Sequence, residues 1–267
     1  MSQKGEISFE RSEDIGGFRF HVNKFTCDCA RDKHHTVVRI ACFKPKRSPT
    51  VLWNCLAAGT FSYQYKGEED FRVEPWSATF GNKFDGFHGH LGERKLNDQG
   101  RAEYPSFGGA QIEVVKTVFV DLADPHNQFI EGPLDAARFK IQNQELWLSK
   151  KKMSAYSPFF TNLFSSDFKE KADGEYKLNG VELGEFLHFV GILYCLDMPI
   201  DKYSIENLLK LSDMFLCEMV LQRCKEYLLR TTEVAPIQKL LLANRFKLPE
   251  VAYATPAKTS TNGAQWM

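Results

Sequence analysis

The spacing of apolar residues changes once along this chain, from every second residue to every 3.6, and that change limits the available folds more than any other feature. Between Ile15 and Asp121 the pattern is that of strands. Phe18, Phe20 and Val22 alternate with polar residues, as do Val38 and Ile40, and Val51-Leu52-Trp53-Asn54-Cys55-Leu56 is a bulky apolar run. Ile112, Val114 and Val115 lead into Val118-Phe119-Val120. Glycine and proline break these runs, which predicts an antiparallel β domain. The stretch 81–92 holds four glycines around Phe84 and Phe87 and reads as a loop, either for binding or for connection.

Asp124-Pro125 and Gly132-Pro133 mark the break, and helical spacing follows it. A hairpin comes first, from Phe139-Lys140-Ile141 through Gln142-Asn143-Gln144 to Leu146-Trp147-Leu148, with Asn143 able to take the positive φ of the turn. Leu183, Phe186, Leu187, Val190 and Tyr194 then form one helical stripe. Ile205, Leu208, Leu209 and Phe215 form a second behind Ser204 as the expected cap, and Val220, Leu221, Cys224, Tyr227 and Leu228 form a third. Pro236 suits the first turn of a last short helix carrying Ile237, Leu240 and Leu241.

With 267 residues there is room for about two cores. Thirty-four basic residues balance thirty-four acidic ones, so no net field draws in a phosphate backbone and no nucleic acid is expected as partner. No apolar run approaches a membrane span, and Met1–Glu10 lacks a secretory core. Seven cysteines form no disulfide framework, which places the chain in a reducing compartment, cytoplasmic and/or nuclear. Lys44-Pro45-Lys46-Arg47 reads as a solvated turn or a short nuclear address.

Enzyme chemistry finds little support. Cys27 and Cys29, with His34, His35 and Cys42, are of the types that bind zinc, but their spacing matches no closed metal motif. His88 and His90 have no acidic partner at a defined spacing and read as loop histidines. There is no phosphate-binding glycine loop followed by Lys-Ser/Thr and no Gly-x-Ser-x-Gly elbow. No cofactor and no metal are expected. Cysteine-based or metal-assisted hydrolysis in the first half is the least strained enzymatic reading.

The second half resembles a BTB (POZ) domain. The likeness opens at Phe139-Lys140-Ile141 and runs through Leu146-Trp147-Leu148-Ser149-Lys150 to Ser157-Pro158-Phe159-Phe160. It continues through Leu163-Phe164, Asp167-Phe168-Lys169-Glu170, Tyr176-Lys177-Leu178, Phe186 to Tyr194, Leu208 to Asp213 and Leu221 to Leu228. The wording is especially similar to nematode proteins that join a MATH domain to a BTB domain. Ile15-Gly16-Gly17-Phe18 and Trp53-Asn54-Cys55 resemble the first and central strands of a diverged MATH domain. Ser149-Lys150 stands where many relatives have His-Lys, and Asn143 where some have glycine.

The resemblance implies an α+β multidomain protein, with an N-terminal antiparallel β-sandwich of MATH type followed by an α/β BTB/POZ domain whose C-terminal part is mostly helical. The expected boundaries are a polar tail at 1–14, the β domain at 15–125, a linker at 126–133 and the BTB domain at 134–231. A short helical extension at 232–252, the start of a BACK-like region, and a disordered tail at 253–267 complete the chain. BTB domains pair through their first helices, which marks Met153, Tyr156, Phe159 and Phe160 as dimer interface, unless these four instead complete the domain's own core. Many family members also dock cullin-3, and a hydrophobic residue, any residue, then Glu is common in those that do. Phe168 and Glu170 fit that pattern, and Tyr194 is the third residue assigned to cullin contact. The implied function is a non-enzymatic adaptor that forms a homodimer and recruits an unknown client through its N-terminal domain to a cullin-3 ubiquitin ligase. The alternative is a self-assembling scaffold or transcription-related interaction protein with no ligase role.

Overall fold

The computed structural model describes residues 3–8, 10–30, 33–44, 48–82, 86–93, 95–96, 99, 102–165 and 175–255, without the side chains of 25–30, 33–36, 90–93, 95–96 and 102–103. These residues form two compact units, Met1–Leu122 together with Leu196–Pro199, and Ala123–Cys195 together with Ile200–Met267.

The first unit is built of antiparallel strands. One sheet has the order β1-β10-β5-β6, with β1 at Gln3–Ile7, β5 at Val51–Gln64, β6 at Arg72–Gly81 and β10 at Ser106–Asp121. The other has the order β2-β3-β4-β7, with β2 at Ser12–Ile15, β3 at Phe18–Ala30, β4 at Lys33–Phe43 and β7 at Gly86–Glu93. Lys95–Leu96 (β8) and Ala102–Glu103 (β9) make a short ladder of their own. Inward residues of both sheets meet in one core, where Phe20 packs edge-on against Phe80 at 6.0 Å and Phe18 lies 5.4 Å from Trp53. The alternation seen in the sequence is therefore the alternation of core and solvent faces.

Two expectations for this half change. Residues 1–14 contain two paired strands rather than a bare polar tail, since β1 hydrogen-bonds along β10 from Gln3 opposite Val114 to Ile7 opposite Ala110. Much of the stretch 81–92 is strand β7, paired with β4, rather than a loop. Its glycines reflect close approach. A Cβ on Gly89 would stand 2.9 Å from the Phe61 ring of the opposite sheet.

The second unit opens with the hairpin β11 (Ala136–Ile141) and β12 (Gln144–Ser149), joined by a two-residue turn. The left-handed residue of that turn is Gln142, at φ 54°, not Asn143. Helices α1 (Lys150–Tyr156) and α2 (Pro158–Ser165) follow, then β13 (Glu175–Lys177), which runs parallel to β11. Helices α3 (Leu183–Leu193), α4 (Ile205–Met214), α5 (Glu218–Arg230), α6 (Pro236–Arg245) and α7 (Pro249–Ala254) complete it. Among the described residues no helix is long and apolar enough to cross a membrane.

An aromatic cluster of Phe139, Phe160, Phe186, Phe189 and Phe215 ties the hairpin to the helices, with Phe160 and Phe215 at 5.0 Å. Caps set the helix starts. Ser149 accepts from the N–H of Lys152, and Ser157 accepts from the N–H of Phe160 while donating to the carbonyl of Phe215. Pro236 is in the first turn of α6, as its fixed φ favours. Ser204 makes no cap bond in the expected sense. Asp201 does that work instead, its carboxylate accepting from the N–H groups of Tyr203 and Ser204. Residues 126–133 are not a free linker, because Asn127 and Phe129 are buried in the second unit. The helical extension runs to Ala254, slightly past its expected end, and residues 256–267 are outside the described set.

Candidate functional site

Helix α1 begins under two acceptors. The Ser149 hydroxyl takes one N–H, and the carboxylate of Asp135 takes those of Glu131 and Lys151 at 3.1 and 2.8 Å. Burial opposes the charge on Asp135. The N–H groups of Lys151 and Glu131, with the Ser149 hydroxyl, outweigh that opposition and hold its carboxyl below the ordinary value. This anchoring determines which side chains of α1 and α2 face out.

The four residues expected at a dimer interface divide. Met153 and Phe160 are completely enclosed within the unit itself, and Phe159 is half-buried against Phe160 and Phe215. Tyr156 alone of the four is exposed, at 42%. Met153 and Phe160 are thus covered by their own chain, and Tyr156 and part of Phe159 remain open to a partner. Helical spacing marks a residue as buried, but it does not say whether the cover comes from its own chain or another.

Tyr194 is likewise covered by its own unit. It is buried, its ring meets Phe129 edge-on at 4.6 Å, and its hydroxyl accepts from the N–H of Ser149 at 3.1 Å. Burial pushes its phenol well above the ordinary pKa. A side chain so enclosed braces the fold and presents no surface to a second protein. Phe168 and Glu170, the other two residues assigned to cullin contact, lie outside the described residues.

Beside Tyr156 a groove of about 1030 Å³ opens between the α1–α2 corner and the start of α5. Its lining includes Tyr156, Asn162, Cys195, Leu216, Met219 and Arg223. Leu216 is 57% exposed and Cys195 is also exposed, yet neither residue type is usual at its backbone position. Leu216 has φ 49° and Cys195 φ 57°, both in the left-handed region. Leu216 closes α4 through paired bonds, its own N–H to the carbonyl of Asp213 and that of Cys217 to Ser212, the arrangement in which glycine is preferred. The sequence pointed to neither residue, although one signal was present. One apolar stripe ends at Phe215 and the next begins at Val220, so Leu216 belongs to neither face.

Among the described residues no comparable constellation supports chemistry. Cys27 stands opposite His35 in the β3–β4 ladder, but Cys42 lies seven positions along β4 from His35, about 23 Å at strand spacing, and pairs with Phe20. Cys42 cannot share a metal with that pair. His88 is exposed on β7 opposite Arg39, and His90 lies opposite Val37. Among the described residues no group of three or more His, Cys, Asp or Glu side chains is placed to hold a metal ion.

Residues 132–232 match the family model described as the BTB/POZ domain, so this part of the chain carries a BTB domain. Two similar Caenorhabditis elegans proteins are named for both BTB and MATH domains. BTB and MATH domain-containing protein 36 is 26% identical over 286 residues, covering 97% of this chain and 88% of that protein. Protein 38 is 25% identical over 212 residues, covering 76% of this chain and 54% of that one. The human Kelch repeat and BTB domain-containing protein 4 is 27% identical over 126 residues, 47% of this chain and 24% of that protein. The chain thus spans only about half the length of protein 38 and a quarter of the human relative.

Proposed function

We propose that this BTB-bearing chain is a non-enzymatic adaptor that pairs with a second copy and brings a client protein to a cullin-3 ubiquitin ligase. The observation that carries the reading is the BTB match over 132–232, together with an open groove and exposed apolar side chains on that same unit. In a soluble domain an apolar group rimmed by polar residues is the usual anchor of an interface. Tyr156 and the exposed part of Phe159 form the pairing face, with the adjoining groove continuing it. Phe168 and Glu170 form the cullin contact, as the resemblance implies.

The first unit holds the client. Its MATH character is supported by the alignment to the nematode protein 36, which covers 97% of this chain and therefore reaches well into the β strands. The mechanism is spatial: one unit binds a client, the other a scaffold, and pairing doubles both, raising avidity through effective concentration. The spacing of the seven cysteines, which suggests no disulfide framework, supports action in the reducing cytoplasm and/or nucleus.

Co-purification of cullin-3 with the full chain tests the reading. Wild type retains cullin-3, whereas Phe168→Ala with Glu170→Ala loses it without change in the sedimentation coefficient of the chain alone. Retention of cullin-3 by the double variant removes the assigned contact. Failure of wild type to retain it leaves the scaffold alternative.

A further inference from the structure

We infer that Asn127 and Tyr194 guard the outer edge of β12 against strand pairing with a second copy of this chain. The three-stranded sheet of the second unit has the order β12-β11-β13, so one side of β12 is an edge. Which of its groups point outward follows from the ladder. The two-residue turn makes Ile141 and Gln144 a hydrogen-bonded pair, and bonded pairs alternate from there. Leu146 and Leu148 thus bond inward to β11, while Glu145 and Trp147 direct their N–H and C=O groups outward, as does the N–H of Ser149, whose carbonyl heads α1. Independent contacts agree with this parity. Lys150 N–H reaches the carbonyl of Asp135 at 2.8 Å on the β11–β12 side, and Leu178 N–H reaches Lys140 at 3.1 Å on the far side.

An exposed row of outward groups is a template for another strand. Here two of them are already occupied. The Asn127 side-chain amide donates to the carbonyl of Trp147 at 2.9 Å, and the Tyr194 hydroxyl accepts from the N–H of Ser149 at 3.1 Å. The guards are held rigidly. Asn127 is 6% exposed, its amide also donates to the carbonyl of Asp124, and its oxygen accepts from the N–H of Phe129. The ring of Phe129 then packs on Tyr194, with the Lys152 ammonium 4.7 Å from the centre of the Phe129 ring. One turn therefore supplies one guard and braces the other.

The choice of a second copy follows from self-complementarity. A second β12 laid antiparallel and centred on Trp147 sets Trp147 opposite Trp147, and Glu145 opposite Ser149. That register needs the Trp147 carbonyl and the Ser149 N–H from each chain, the same two groups the guards occupy. The Ser149 carbonyl heads α1 and is engaged in its first turn, so no bond of that register remains open while the guards are in place. Any association of the wild-type chain is thereby left to other surfaces.

The test uses the full chain carrying Asn127→Leu and Tyr194→Phe. Sedimentation velocity is expected to show assemblies larger than those of wild type at equal concentration, and adding Trp147→Pro, which removes an outward N–H and bars strand pairing, returns the distribution to that of wild type. A double variant with wild-type circular dichroism and wild-type sedimentation overturns the proposal. So does enlargement that persists with Trp147→Pro. Tyr194→Phe alone provides a second reading that does not depend on assembly. Native-state amide exchange at Ser149 is expected to rise about tenfold while that at Leu148 is unchanged, as loss of one hydrogen bond implies. Equal exchange at Ser149 in wild type and variant removes Tyr194 as a guard.

Discussion

Cys195 and Leu216 occupy matching places, each one residue beyond a helix C-cap, each in the left-handed backbone region, and each lining the same groove. A side chain in that conformation costs about 1–2 kcal/mol relative to a right-handed one, a cost glycine avoids.

Leu216→Gly is accordingly expected to leave folding stability unchanged or raise it by up to about 1 kcal/mol, measured by urea denaturation. The same change is expected to weaken chain pairing, because it removes the most exposed apolar group of the groove. A variant that is destabilised by about 2 kcal/mol or more would mean that the side chain packs inward after all, as a lost core contact does.

The α1–α2 residues separate by burial. Met153→Ala is expected to cost about 2–5 kcal/mol and Phe160→Ala about 3–5 kcal/mol of folding stability, since both side chains are enclosed within their own unit. Tyr156→Ala is expected to change stability by less than about 1 kcal/mol while weakening pairing, read by sedimentation equilibrium. Equal stability losses at Tyr156 and Met153 would show that exposure in the single chain does not describe the chain in solution.

Asp135 predicts a pH dependence. Its folded pKa lies below that of an ordinary aspartate, so its contribution is complete above the ordinary value and is lost as pH falls through the lower folded one. Wild type should therefore lose stability on acidification below about pH 4 more steeply than Asp135→Asn, which carries no titrating carboxyl there. Urea midpoints measured from pH 6 down to pH 3 compare the two. Parallel curves would show that the Asp135 carboxylate is not the anchor of α1.

How far these features were legible in the sequence depends on what each residue pattern can encode. The β11–β12 hairpin and the stripes of α3, α4 and α5 were visible because one face of each element is buried, and burial imposes a period. Strand β1 was not, because Gln3, Lys4, Gly5 and Glu6 form an edge strand that buries only Ile7 fully. Strand β7 was hidden by its glycines, of which Gly89 lets it pass close to Phe61 and Gly86 close to Arg39, and which look like loop residues without those neighbours. The candidate site was less legible still. Tyr194 read as a contact residue although the ring of Phe129 covers it, and Met153 read as interface although its own unit encloses it. Asn127 gave no signal at all, since its role depends on the carbonyl of Trp147, twenty residues away.

The cysteines give the last prediction, because their surroundings differ sharply on one unit. Cys224 is fully enclosed in α5, and burial, reinforced by the neighbouring Cys217, pushes its thiol up to about 12. Burial also raises Cys217, outweighing the N–H groups of Val220 and Met219 that favour its thiolate. The reactive form of a thiol is the thiolate, and at pH 8 a group near 12 is ionised in only about one molecule in ten thousand. Cys195 faces solvent at the groove. Iodoacetamide at pH 8 should therefore alkylate Cys195 in the native chain and reach Cys217 and Cys224 only in denaturant, with the modified sites read by mass spectrometry. The Cys195 rate also reports on function. If the groove is covered when two chains meet, its alkylation should slow as protein concentration rises through the pairing range, while unfolded-state rates stay constant. A Cys195 rate independent of concentration would place the pairing face elsewhere on the unit, and equal native rates at Cys195 and Cys224 would contradict the enclosure of α5.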